Sequence, residues 1–208
     1  SFLTRRSSDL LVPVPDLLME QISFVGKPCE KRLVALLKDE EAPNEARMTA
    51  IGLLREMGSE QPKNLYIQWQ LNRDAVDELK DNAIESLIEM GEGTVQPILQ
   101  VFRQANAAGR EALLEVLSHY PGHPQIVALM LQEFREHTEK RALFAAYLAK
   151  MGDDQVLSDL IEAAQEQDLT YLTYIELRNA IETLGGNCPE REFDDDPEYE
   201  ALSRLDMT

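Results

Sequence analysis

Apolar residues recur along this chain in a fixed relation to a set of stops. Counting back eight, five, four and one residues from Gly58 gives Ala50, Leu53, Leu54 and Met57, and from Gly91 it gives Ala83, Ser86, Leu87 and Met90. Pro121 is preceded in the same way by Leu113, Val116, Leu117 and Tyr120, and Gly152 by Phe144, Tyr147, Leu148 and Met151. Gly185 follows Leu177, Ala180, Ile181 and Leu184, and Gly26 follows Leu18, Gln21, Ile22 and Val25. Only Ser86 and Gln21 break the apolar rule. At about 100° per residue the four offsets fall on one helical face, so each copy predicts an amphipathic helix. A glycine just past it suits the left-handed residue on which helices commonly end. The stops are 32, 33, 30, 31 and 33 residues apart, a spacing that predicts an array of stacked repeats.

Second apolar segments lie between the stops: CEKRLVALLKD, NLYIQWQLN, TVQPILQVFRQA, PQIVALMLQEF and DQVLSDLIEAAQ. Pro97 and Pro124 near their starts fit a first helical turn, where an N–H is not required. The predicted unit is therefore helix, turn, helix, turn, each pair burying one face on itself and another on the next pair. The expected fold class is all-α, a right-handed α-solenoid of about five helix-turn-helix repeats over residues 27–186 with capping ends. Residues 1–26 read as an N-terminal segment with a half-repeat cap, and 187–208 as an acidic tail or cap helix carrying Tyr199, Leu202 and Leu205. Eleven residues before the stops runs a basic column, Arg47, Lys80, Arg110 and Arg141, with Tyr174 and Pro15 in the end copies. It reads as a ladder tying adjacent repeats through carboxylates or carbonyls, with a binding stripe as the other reading.

The segments NEARMTAIGLLREMG and EKRALFAAYLAKMG resemble the second-helix signature of HEAT-like repeats, especially the short type found in phycobilin lyases. The resemblance extends over roughly residues 15–186 and implies a HEAT-like solenoid. Pro121 in place of glycine and Tyr174 in place of a base depart from the pattern. Repeats of this kind occur in adaptors, scaffolds, chromophore lyases and one class of DNA glycosylase, so the resemblance implies an architecture and leaves function open.

Charge narrows the choice. The 208 residues carry a formal charge of -18, which opposes a phosphate backbone and argues against nucleic acid as a partner. No apolar run is long enough to span a bilayer, and Pro13 and Pro15 interrupt the first apolar stretch, so no membrane partner and a cytoplasmic address are expected. Cys29 and Cys188 lie far apart with no second cysteine nearby, which suggests neither a disulfide framework nor a zinc knuckle.

In such an array the second helices would line the concave side. The stripe at offsets nine, six and two has an acidic centre, and its candidate partner-binding residues are Asn82, Glu85, Glu89, Glu115, His119, Lys150, Glu176 and Asn179. It reads either as a solvated face or as an acidic concave surface for a protein or basic peptide. Catalytic, cofactor and metal residues are expected to be none. Glu115, His119 and His123 have helical ligand spacing, but Pro121-Gly122 should break the helix between them, and Asp194–Asp196 lack the calcium-loop pattern. Phosphate-loop and nucleophile motifs are missing from the sequence, and Tyr66 and Trp69 read as packing residues or an aromatic pocket. The expected function is a non-catalytic interaction scaffold or adaptor. A chromophore lyase or chaperone, a HEAT-like glycosylase, and a purely structural module of a larger assembly stay open as alternatives.

Overall fold

The computed structural model describes residues 26–193 together with Pro197 and Tyr199. Among these residues the chain forms ten α-helices and no strand. They are α1 (Lys27–Lys38), α2 (Asn44–Glu56), α3 (Lys63–Leu71), α4 (Glu78–Glu89), α5 (Val95–Val101), α6 (Ala107–Leu117), α7 (Pro124–Glu136), α8 (Arg141–Met151), α9 (Leu157–Ala164) and α10 (Tyr171–Thr183). No helix among the described residues is long and apolar enough to cross a membrane. The chain divides into two compact units, Ser1–Val116 and Leu117–Thr208. In the first, α1 packs on α2, α2 on α4, α3 on α4, and α3 on α5. In the second, α7 packs on α8, α8 on α10, and α9 on α10. Within each unit a helix therefore meets its partner in the pair and the equivalent helix of the next pair.

The apolar offsets explain this packing. In all five described copies the residues eight, five and four before the stop are buried, from Ala50, Leu53 and Leu54 to Leu177, Ala180 and Ile181. The position one before the stop grades outward, with Tyr120 and Met151 buried and Met57, Met90 and Leu184 half-buried. Ser86, the polar exception, is also buried, and its hydroxyl donates to the Asn82 carbonyl oxygen at 3.0 Å. That bond satisfies the group inside the helix's own ladder, so no foreign partner is needed. The first copy, with Pro15, Leu18, Gln21, Ile22 and Val25, lies outside the described residues.

Among the described helix stops, Gly58, Gly91, Gly122, Gly152 and Gly185 have φ between 61° and 88°; Gly26, just before α1, has φ 62° with ψ -138°. At α2 the Gly58 N–H donates to the Arg55 carbonyl and the Ser59 N–H to the Leu54 carbonyl, each at 2.9 Å. The same pair of bonds closes α10, from Gly185 to Glu182 and from Gly186 to Ile181. Both sets satisfy carbonyls that a helix end leaves open. The fourth stop corrects the sequence reading, since its left-handed residue is Gly122 (φ 88°) and not Pro121. Proline's ring fixes φ near −65°, so it cannot adopt the turn. α6 accordingly ends early, at Leu117, and the glycine interval is restored one residue later.

A different constraint places α6 in the first unit. Gly109 sits so close to α3 that a β-carbon there would lie 1.9 Å from the Gln70 carbonyl oxygen. Asn106 fixes the approach: its N–H donates to the Leu71 carbonyl, its Nδ2 to the Arg73 carbonyl and its Oδ1 accepts from the Gly109 N–H, each at 2.8 Å. Beneath it Gln70 is fully buried, donating Nε2 to the carbonyls of Tyr66 and Lys80 and accepting from Arg73 Nη1 at 3.0 Å. Arg73, itself buried, also pairs with Asp81. A satisfied buried polar network of this kind specifies one arrangement of three helices.

Gly109→Ala meets a backbone atom that cannot move aside, whereas a β-carbon at Gly58 meets nothing within 4 Å and only the backbone angle is strained. Gly109→Ala is expected to destabilise by about 3 kcal/mol or more, and Gly58→Ala by roughly 1–2 kcal/mol. Thermal unfolding followed by circular dichroism checks this, and equal loss in both variants would contradict the close approach.

Candidate docking faces

The acidic residues of the first unit fall into two groups once placed. Asn82 is buried and its Nδ2 donates to the Glu78 carbonyl at 2.8 Å, so it belongs to the interior of α4 and not to its exposed face. Its position on the helical wheel lies close enough to Ala83 and Ser86 to be covered by neighbouring helices, which the stripe alone could not reveal. Glu85 and Glu89, one turn apart on α4, are exposed (46% and 61% of the side chain). Arg55 on α2 faces both, with Nη1 2.8 Å from Glu85 and 4.0 Å from Glu89. One guanidinium thus serves two carboxylates, and the pair with Glu89 is the long one. Glu56 and Glu60 are exposed nearby, Glu60 pairing with Lys63 at 2.8 Å. Glu115 on α6 is exposed as well.

In the second unit His119, Lys150, Glu176 and Asn179 are all exposed. The Lys150 ammonium lies 5.6 Å from the centre of the Tyr147 ring, a cation–π arrangement on its own helix. Glu176 and Asn179 share the outer surface of α10 with the ion pair Arg178–Glu182 at 2.7 Å. Arg178 is exposed on α10 together with Glu176 and Glu182, so the exposed part of this helix is mixed in sign rather than uniformly acidic.

Three cations of the basic column, Arg47, Lys80 and Arg141, have partners that tie helices together. Arg47 donates Nη2 to the Leu37 carbonyl at the end of α1 and lies 5.2 Å over the Trp69 ring of α3. Lys80 reaches the Asn72 carbonyl just past α3 and pairs with Asp77 at 3.1 Å. Arg141 pairs with Glu166 and lies 5.8 Å over the Phe134 ring. Each cation therefore meets a carbonyl or a carboxylate at or near a helix end, where the helix dipole and the open carbonyls favour positive charge. Tyr66 is fully buried with its ring 5.6 Å from Trp69, so these aromatics pack helices and do not open a pocket. Burial also pushes the Tyr66 hydroxyl well above its usual range, with Arg55 pulling weakly against it.

The sequence reading missed one titratable cluster. Glu133, Glu136 and His137 offer ligand atoms within 4.8 Å of one another, at the end of α7. His137 Nε2 lies 3.4 Å from the buried Glu133 and Nδ1 3.4 Å from Glu139, while Gln132 holds Glu136 at 2.8 Å. Spacing of three and four residues in QEFREH was the available signal. Of the described residues these three could best hold a divalent cation. The suspected spacing of Glu115, His119 and His123 does not survive, because α6 ends at Leu117 and the left-handed Gly122 precedes His123.

The C-terminal segment docks where it is described. Cys188 and Phe193 are buried, and Tyr174 donates its hydroxyl to the Pro189 carbonyl at 2.9 Å. Phe193 lies between Tyr171 and Tyr174 at 5.3 and 5.0 Å, and Arg191 donates to the carbonyls of Glu166 and Gln167 beyond α9. Residues 187–193 are an extended strap over the end of the second unit, and the Tyr199 ring continues it 5.0 Å from Tyr171. Asp194–Asp196, Leu202 and Leu205 lie outside the described residues.

Two clefts lie among the described residues of the separate units. One, of about 160 Å³, opens between the end of α2 and the end of α4, and another, of about 260 Å³, between the Gly122 turn and the Gly152 turn. No family model matches the chain, and no curated protein matches it.

Burial pushes the Cys188 thiol above its ordinary range, with the Tyr174 hydroxyl and Arg178 opposing only in part. At pH 8 iodoacetamide is therefore expected to alkylate the half-exposed Cys29 at least about tenfold faster than Cys188, since the thiolate is the reactive form. Peptide mass spectrometry over a time course reads the two rates, and equal rates would mean that the strap does not stay closed.

Proposed function

We propose that this chain is a non-catalytic protein-binding module, a right-handed α-solenoid of about five HEAT-like helix-turn-helix repeats with capping ends. Its working surface is the exposed acidic face of the second helices, and its partner is a protein or peptide segment with basic side chains. The observation that carries this reading is the division of charge in the first unit. Arg47 and Lys80 are engaged at helix ends, while Glu85 and Glu89 stand exposed with Arg55 alone between them. A surplus of outward carboxylates on rigid helices raises the association rate and selects partners of opposite sign.

The same division weighs against a glycosylase-like reading, which needs a basic track along the binding surface. Two free thiols, Cys29 and Cys188, accord with a reducing cytoplasmic setting.

A lysate passed over the immobilised protein and over a Glu85→Lys, Glu89→Lys, Glu115→Lys variant tests the proposal, with circular dichroism establishing that both are folded. The parent is expected to retain a protein that the variant loses, and retention should weaken as salt rises. Equal retention by both would sink the acidic-face reading and favour a purely structural module.

A further inference from the structure

Each of the two clefts lies between one stop and the end of the next second helix, with the acids at different positions in the repeat. The first lies between Gly58–Glu60 on one side and Ser86–Met90 on the other. The second lies between Gly122–Pro124 with Val127 on one side and Met151–Asp154 on the other. In each, the wall includes the methionine one residue before a stop, Met90 or Met151, and a left-handed glycine whose missing side chain leaves the wall open. Acids stand at both clefts: Glu60 and Glu89 at the first, Asp153 and Asp154 at the second.

We propose that each of these clefts is by itself a pocket for one basic side chain, a lysine or arginine, of a partner segment. This rests on the binding-module reading and names the chemistry that such a partner presents. A lysine side chain has an apolar four-carbon stem and a cationic head, and such side chains lay the stem along apolar surface while the head stays near water and charge. A flexible thioether beside a carboxylate matches both halves, because methionine adapts its shape to an aliphatic chain. At about 30 Å³ per water, each cleft has room for several solvent molecules, enough for the stem and head. Arg55 at the first cleft does not turn it into an anion site, since its side chain is only 16% exposed and already faces Glu85 and Glu89. Glu89, 4.0 Å from that guanidinium, is the carboxylate with most to gain from a second cation. The Glu60–Lys63 pair at the rim, with Glu60 64% exposed, is of the kind whose net worth is small, so an incoming cation can replace it. At the second cleft Asp153 accepts from the Gln155 N–H, which leaves the exposed Asp154 as the ligand for the head group.

The methionines themselves report occupancy. The full chain labelled with ¹³C at the methionine methyls is titrated with an acetylated octapeptide of alternating lysine and serine, beside glutamate–serine and norleucine–serine counterparts. Met90→Leu and Met151→Leu assign the two signals. The expected result is a saturable shift of the Met90 and Met151 methyls with the lysine peptide only, while Met130, fully buried in α7, does not move. Glu89→Gln should weaken the Met90 response at least threefold and spare Met151, and Asp154→Asn should do the reverse. No saturable shift, an equal response to norleucine, or a uniform drift of all methyls would overturn the proposal. Silent clefts together with charge-dependent retention of a lysate protein would leave the acidic face standing without its pockets. Responding clefts together with equal retention by the charge-reversed variant would establish the pockets and remove the acidic face of α4 and α6 as the docking site.

Discussion

A helix that must stop and reverse every thirty residues needs a backbone conformation that side chains with a β-carbon resist. Among the described residues five glycines supply it here, Gly58, Gly91, Gly122, Gly152 and Gly185, each just past the apolar stripe of a second helix. Offsets eight, five and four, counted from Gly58, Gly91, Pro121, Gly152 and Gly185, are buried among neighbouring helices. The fourth repeat shows that the turn can shift by one residue without disturbing the stripe. With proline at residue 121, the chain ends α6 early at Leu117 and places Gly122 in the left-handed turn, keeping the stripe from Leu113 to Tyr120 buried.

Packing imposed by those stripes then sorts the charges. A base eleven residues before a stop falls beside the end of a preceding helix, where carbonyls lack partners. Arg47 and Lys80 bond such carbonyls, and Arg141 adds a carboxylate and an aromatic face. These cations are largely covered, Lys80 at 21% and Arg141 at 11% side-chain exposure. Glu85 and Glu89, carboxylates that desolvate poorly, remain outside, whereas Glu133 is buried beside His137. The exposed carboxylates of α4, Glu85 and Glu89, are thus left outward by the same packing that buries the leucines.

Within each unit, irregular features add what the repeat alone does not fix. Gln70, Arg73, Asp81 and Asn106 close a hydrogen-bonded node where α3, α4 and α6 approach, and Gly109 lets the backbones touch. At the other end, the strap of residues 187–193 covers α10 with Cys188 and Phe193.

The sequence alone determined the described helices, all but one of their stops and the buried face, because helical periodicity and the φ preference of glycine are local properties that each repeat states again; at the fourth it pointed to Pro121, where the turn is made by Gly122. It also separated the basic column from the acidic stripe, since both follow from counting along one helix. Tertiary structure decided what counting could not. Asn82 shares the stripe's spacing with Glu85 and Glu89 yet is buried, because exposure at the margin of a helix face depends on how closely the neighbouring helix leans. Glu133 and His137 meet at the end of α7, and Arg55 reaches from α2 to two residues of α4, through side-chain conformations that no spacing rule specifies. The strap at 187–193 carries no periodicity at all. Its place was fixed by Tyr174, Phe193 and Arg191 finding rings and carbonyls far from them in sequence, and contacts of that kind exist only once the helices have been set side by side.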